Sequence, residues 1–169
     1  MAVQKFLQHD GTGGLEEVEA TQTGGTASSG KIVALDVNGR ITENMLPTGT
    51  GPEIGTIKTS EDLSAGDFVN VYNTADGPTV RKADATSVAK AAHGFVKEAF
   101  ARHADATVFM DGNNDVLTGV TGGTVYLSTV AGRSTATAPS GSGQIVQVLG
   151  VGTSATTVCF SATNPIVLA

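Results

Sequence analysis

The stretch Gly66-Asp67-Phe68-Val69-Asn70-Val71-Tyr72 carries the pattern on which the fold class depends. Successive side chains of a β-strand point to opposite faces, so the aromatic residues Phe68 and Tyr72 would share one face and the two valines the other. Because large apolar residues occur on both faces, we expect this strand to be partly covered on both sides. The glycine and the aspartate before it are ordinary turn residues and mark where the strand begins.

Strand-length runs of this kind recur at short intervals through the rest of the chain. Gly, Asn and Asp separate them, as turns between short strands require. The predicted strands are 53–58, 67–72, 79–82, 94–100, 106–110, 124–128, 144–150 and 156–161. Regular short strands with turns between them predict an all-β domain, a small β-sandwich or barrel, over residues 52–169.

The segment 96–104 fits two different structures. Its residues are good helix formers, and it has a glutamate and an arginine at the i, i+4 spacing of a helical ion pair. Gly94 before it and a clear strand at 107–110 after it favour a hairpin with residues 102–105 as its loop. Two alternatives also stay open for residues 84–90, either one helical turn capped by the first aspartate or an irregular crossover.

The first 51 residues differ in composition from the rest. Residues 11–30 are rich in Gly, Thr, Ser and Glu and contain too few apolar residues to form a core. We therefore expect an extended Gly-rich arm over residues 1–51. It would contain one short β-hairpin, with a strand at 31–35 and a tight turn at Asn38-Gly39. The boundary with the β-domain is predicted at the flexible stretch 48–52.

Composition and charge exclude several classes of protein. Hydrophobic residues make up 40% of the chain and charged residues 15%, which is typical of a folded soluble domain. A net charge of −6 would repel a phosphate backbone, so nucleic acid is not an expected partner. No apolar run reaches the ~20 residues that span a bilayer, and the N-terminus turns polar early. We therefore expect no membrane anchor and no signal peptide.

Two motifs that bind ligands in other proteins are incomplete in this chain. Gly25–Lys31 has the spacing of a phosphate-binding loop, but Ile32 stands where the magnesium-binding Ser or Thr is required. Asp111–Asp115 offers alternating oxygens, as a calcium loop does, but Val116 replaces its glycine and Gly122 its bidentate glutamate. We therefore expect neither a nucleotide cofactor nor a metal, and we interpret the acidic stretch as a solvated turn.

Catalytic groups are not gathered in any recognisable pattern. The histidines His9, His93 and His103 lie in unrelated contexts, and no Gly-x-Ser-x-Gly elbow occurs. The single cysteine, Cys159, has no partner for an intrachain disulfide, and its apolar neighbours predict a small buried side chain. The sequence therefore predicts a protein that is not an enzyme and that has no catalytic residues.

Two parts of the chain resemble structural proteins of tailed phages. Residues 32–41, followed by Met45-Leu46-Pro47, resemble a linker pattern of phage fibres and head-decorating proteins. The C-terminal part resembles a β-domain of capsid decoration, cement and head-fibre proteins. The residues that carry this second resemblance are 63–71, 81–84, 92–96, 125–128 and 144–151. A long fibre would contain repeats or heptads, which this sequence lacks, so a compact decoration is favoured.

The resemblance implies a bacteriophage virion protein on the capsid surface, made in the host cytoplasm, that forms a homotrimer and binds the major capsid protein. The residues themselves predict two sets of contacts, one between subunits and one with the capsid. The subunit-interface strand is predicted at Ile145, Val146, Val148 and Leu149, and the capsid-contact anchors at Leu35, Met45, Leu46 and Pro47. The alternative is a fibre or receptor-binding tip that recognises a cell-surface glycan. A hydrolase of the cell envelope would need a site that the sequence does not show.

Overall fold

The structure, a computed structural model of the chain, describes residues 4–22, 24, 28–36, 39–42, 45–46 and 53–169. The chain divides into two compact units, residues 1–51 and residues 52–169. This division coincides with the composition change at 48–52. That the second unit folds without the first stays a prediction.

The first unit contains a β-hairpin where only an extended arm was expected. Strands β1 (Lys5–His9) and β2 (Leu15–Glu19) pair antiparallel. In the turn between them, the carboxylate of Asp10 accepts the backbone N–H groups of Thr12 and Gly14 at 2.8 and 2.9 Å. These hydrogen bonds hold the pKa of Asp10 below its ordinary value.

The predicted hairpin at 31–41 is only half correct. Its turn is present, because the backbone N–H of Asp36 donates to the carbonyl of Arg40 at 2.8 Å and Gly39 has a φ of 73°. Asn38 lies outside the described residues. The predicted strand at 31–35 was wrong, because the backbone of these residues bonds that of Thr21 in an isolated parallel bridge.

Five strands of the second unit close a barrel. They are β3 (Ile54–Thr59), β4 (Phe68–Thr74), β5 (Gly77–Lys82), β6 (Gly94–Phe95) and β7 (Asp105–Phe109), in the order β3-β5-β4-β6-β7. Strands β3 and β5 pair parallel, and the other neighbours pair antiparallel. Closure leaves none of these strands as a free sheet edge.

The remaining strands form two further sheets, which confirms the all-β class. Their bounds are β8 (Gly112–Asn114), β9 (Gly123–Leu127), β10 (Ser134–Thr135), β11 (Ile145–Val146), β12 (Val148–Ser154), β13 (Thr157–Phe160) and β14 (Ile166–Val167). The larger sheet has the order β10-β9-β12-β13-β8, and a small ribbon pairs β11 with β14.

Two apolar clusters fill the second unit, one on each side of the barrel wall. Phe68 of β4 belongs to the cluster between the barrel and the five-stranded sheet, while its neighbour Val69 belongs to the cluster of the barrel strands. The alternation predicted for this strand is therefore confirmed. The rings of Phe68 and Phe95 contact that of Phe160 from the sheet, with centroids 5.9 and 5.5 Å away.

Several predicted elements have different bounds in the structure. The strand 94–100 is reduced to Gly94–Phe95, and 96–104 contains neither a helix nor a continued strand. Gly94 is required where β6 meets β7, since a Cβ there would lie 2.4 Å from the carbonyl oxygen of Phe109. The crossover at 84–90 contains a 3₁₀ helix, Val88–Lys90, and its cap is Ser87 rather than the predicted aspartate.

Candidate functional site

One face of the five-stranded sheet is turned away from the apolar core. Residues paired across neighbouring antiparallel strands have their side chains on the same face. The registers of β9, β12, β13 and β8 place four such residues in one row, and those of β10, β9 and β12 place three in a second row. We call these seven residues the outer sheet face: Asn113, Thr124, Tyr126, Thr135, Val148, Val151 and Cys159.

The centre of the outer sheet face is exposed in the single chain. Val151 exposes 51% of its surface, and its cross-strand neighbour Cys159 is exposed as well. The prediction of a buried cysteine was wrong. Val158 and Phe160 both point into the core, so the residue between them in the same strand must point outward.

The sheet also differs from the rest of the chain in charge. The chain has 10 basic and 16 acidic side chains, but Arg133 is the only charged residue between Val116 and Ala169. Solvated protein surfaces usually carry about 25–35% charged residues, and charge is depleted where another chain covers a surface. This signal is visible in the sequence as an uneven distribution of charge, but the net charge of the whole chain conceals it.

The predicted subunit-interface strand divides between the core and the surface. Ile145 and Leu149 are fully buried in the chain's own core, so they have no surface to offer a partner. Val148 lies on the outer sheet face, and half-buried Val146 pairs with Ile166 in the small ribbon. The four residues therefore do not form one surface. That a subunit interface exists stays a prediction.

Two of the predicted capsid-contact anchors present apolar surface. Leu35 exposes 48% and Leu46 exposes 39% of its surface, whereas Met45 is half-buried. Pro47 lies outside the described residues. Exposed aliphatic side chains are suited to burial against another protein, but contact with a major capsid protein stays a prediction.

The acidic stretch that resembles a calcium loop is used for structural contacts. The carboxylate of Asp111 accepts the backbone N–H of Glu53 at 2.7 Å, and that of Asp115 forms an ion pair of 3.1 Å with Lys97. Between them, Asn114 lies in β8 and is buried, so the interpretation as a solvated turn was wrong. Within the described part of the chain, no group of three or more His, Cys, Asp or Glu residues could hold a metal ion.

The phosphate-loop pattern and the three histidines lie in separate segments of the chain. Of the phosphate-loop pattern at 25–31, residues 25–27 lie outside the described ranges, and residues 28–36 contain a short turn and an isolated bridge at Val33 but no α-helix. His9 lies in β1, and His103 lies in the loop before β7 with a φ of 68°. The ring of His93 accepts the backbone N–H of Val71 at 3.0 Å, which is a structural contact.

Neither a family model, a curated protein nor a solved structure matches this chain. Among the residues that the structure describes, no helix is long and apolar enough to cross a membrane. The resemblance to proteins of the phage head therefore stays a prediction, and the outer sheet face is the structural feature from which a function can be argued.

Proposed function

We propose that this chain is a structural virion protein, a capsid decoration or cement protein that forms a homotrimer and binds the surface of a phage head. The observation that supports assembly is the outer sheet face. It is broad, has exposed Val151 at its centre and contains no charged residue.

The chemistry of this face favours contact with further copies of the same chain. Burying a charged group carries a large desolvation cost, which a face without charges avoids. The chain as a whole has a net charge of −6, so two copies repel one another overall, and a face without charges adds nothing to this repulsion. Each buried valine side chain would contribute roughly 1.5–3 kcal/mol to association, by the usual scale of aliphatic burial.

Attachment to the head is assigned to the first unit. It presents the exposed aliphatic side chains of Leu35 and Leu46 on a segment with little apolar core of its own, since Ala34 is its only buried apolar residue among those described. A segment of this kind gains order and contact area when it binds a partner. The β-domain would then supply trimerisation and the arm would supply binding to the major capsid protein.

A charged substitution on the outer sheet face tests the proposal. Three chains of 17.0 kDa should give about 51 kDa by light scattering. The Val151→Lys variant should shift this mass toward a monomer while keeping a cooperative melt, because the side chain is exposed in the single chain. Val130→Lys is the matched control, since Val130 is 63% exposed and lies outside the face. The proposal would be refuted if the wild-type protein is a monomer both in solution and when it is bound to isolated capsids.

The alternative role, a fibre or receptor-binding tip that recognises a glycan, differs in copy number. Decorations occur in hundreds of copies per head, whereas tips occur in few. Quantifying this chain against the major capsid protein in purified particles separates the two roles. A ratio of a few copies per particle would contradict decoration.

A further inference from the structure

A polar cleft of about 450 Å³ opens beside strands β4 and β5 of the barrel. We call it the arginine cleft. It collects four of the chain's 10 basic side chains and two acidic ones: Arg81, Lys82, Lys90, Arg102, Glu61 and Asp84. In a chain with a net charge of −6, such a local excess of positive charge is a distinct feature of the surface.

Arg81 is held in the cleft by groups other than carboxylates, as far as the described residues show. Its Nε donates to the Oδ1 of Asn70 at 3.0 Å, and one terminal nitrogen donates to the carbonyl of Ala89 at 2.8 Å. The guanidinium carbon also lies 4.3 Å from the centre of the Tyr72 ring. Asn70 is itself only 2% exposed and donates to the carbonyl of Ala91 at 2.7 Å. The guanidinium is therefore preorganised and keeps donors free for a ligand.

The other cations of the cleft differ in how far they are neutralised. Lys90 forms an ion pair of 2.9 Å with Asp84, and Lys82 lies 3.7 Å from a buried carboxylate. Arg102 makes no ion pair with any residue that the structure describes, nor does Arg81. The backbone N–H of Arg102 donates to the carboxylate of Asp62 at 2.7 Å, and its side chain is exposed. Two guanidinium groups thus remain available at this surface.

The mixture of groups indicates the class of ligand. A guanidinium donates two parallel hydrogen bonds to a carboxylate, and this match is both strong and directional. Glu61 and Ser60 add hydrogen-bond acceptors, which suit hydroxyl groups, and the negative charge of Glu61 would repel a multiply charged phosphate. The volume falls within the range of about 300–1,000 Å³ that is usual for small-ligand pockets.

We propose that the arginine cleft binds an acidic sugar, a saccharide unit that carries one carboxylate. Arg81 and Arg102 hold the carboxylate, and Glu61 and Ser60 accept hydrogen bonds from the sugar hydroxyls. Neither trimerisation nor attachment to a capsid is required for this binding. The cleft would give a particle that displays this chain a weak affinity for acidic surface polysaccharides.

Nuclear magnetic resonance titration of the full-length chain tests the proposal. N-acetylneuraminic acid and glucuronic acid are the two acidic probes, because sialylated and uronic-acid glycans are different sources of the same chemistry. Glucose, the neutral counterpart of glucuronic acid, and inorganic phosphate are the controls. At least one acidic sugar should bind with a Kd on the order of 1 mM. Glucose should bind at least about tenfold more weakly, since it lacks the charge-assisted pair.

Substitutions then assign the binding to the two arginines. Arg81→Lys retains the charge but loses the planar fork, and Arg102→Ala removes an exposed side chain. Each substitution should weaken the binding of the acidic sugar by about tenfold or more, which is the scale of one lost charge-assisted hydrogen bond. The control Arg40→Ala, in the first unit, should leave the affinity unchanged. Arg102→Ala decides the matter if Arg81→Lys does not fold.

Three results would overturn the proposal. The first is that neither acidic sugar binds at tens of millimolar concentration. The second is that the affinity is the same in Arg102→Ala as in the wild type. The third is that phosphate binds as tightly as the acidic sugars, because the cleft would then be a general anion site without saccharide selectivity.

Discussion

Replacing Gln147 with leucine should destabilise the β-domain more than any exposed substitution. Gln147 is 2% exposed and lies between the short strand β11 and strand β12. Its Oε1 accepts the N–H of Ala92 at 2.8 Å, and its Nε2 donates to the carbonyls of Ala92 and Thr163 at 2.9 and 3.0 Å. One side chain thus joins the C-terminal strands to the segment that leads into the barrel.

The expected magnitude follows from the groups that would lose their partners. Ala92 is itself 2% exposed, so its N–H and its carbonyl would be left without a partner in the Gln147→Leu variant. Each buried unsatisfied group costs about 1–3 kcal/mol. The carbonyl of the exposed Thr163 can accept a hydrogen bond from water instead. Burying the extra apolar surface of leucine stabilises the domain by about 1–2 kcal/mol. Two such groups cost about 2–6 kcal/mol. At the middle of these ranges we expect a net loss of about 2.5 kcal/mol in the free energy of unfolding, or roughly 5–10 °C in Tm for a chain of this size.

Urea unfolding followed by circular dichroism measures this loss, at one fixed protein concentration because association would shift the midpoint. The matched control is Gln144→Leu, since half-buried Gln144 only accepts the N–H of Gly141 at 2.9 Å. That variant should stay within about 1 kcal/mol of the wild type. If the two variants have equal stability, the buried amide does not hold the two parts of the domain together.

Three further predictions concern acid stability and the arm. Burial raises the pKa of Asp84, but hydrogen bonds from Thr86 and Lys90 outweigh it and hold that pKa below its ordinary value. The resulting stabilisation is present above the unfolded pKa of about 3.9 and is lost as the pH falls through the lowered folded value. Asp84→Asn should therefore lose about 1–2 kcal/mol at pH 7 and less at pH 3 in urea unfolding, and an equal loss at both pH values would contradict this. A chain that begins at Pro52 should keep its β-type circular dichroism spectrum and cooperative melt but fail to bind undecorated capsids, because the arm provides the attachment. Normal decoration by this chain would move attachment to the β-domain. In the full-length protein, attachment should weaken without a change in the melt when serine replaces the three anchors: Leu35, Met45 and Leu46.

Most strands of the second unit could be predicted from the sequence, but little of its surface chemistry could. Strand β4 and the turn residues before it followed directly from alternation and turn composition. The arginine cleft could not be predicted, because Arg81 and Arg102 come together only when the barrel closes. The charge distribution that marks the outer sheet face was present in the sequence, but which residues occupy that face depends on strand pairing.

The sequence by itself determined the all-β class, because a period of two and frequent turn residues are local properties that hold in any arrangement of the strands. Only the tertiary structure decided which side of each strand is covered. It placed Ile145 and Leu149 in the core, turned Cys159 outward and interrupted the strand predicted at 144–150, where the side chain of Gln147 bonds Ala92 instead. Pairing between distant strands makes these choices, and a local pattern contains no information about which strands will meet.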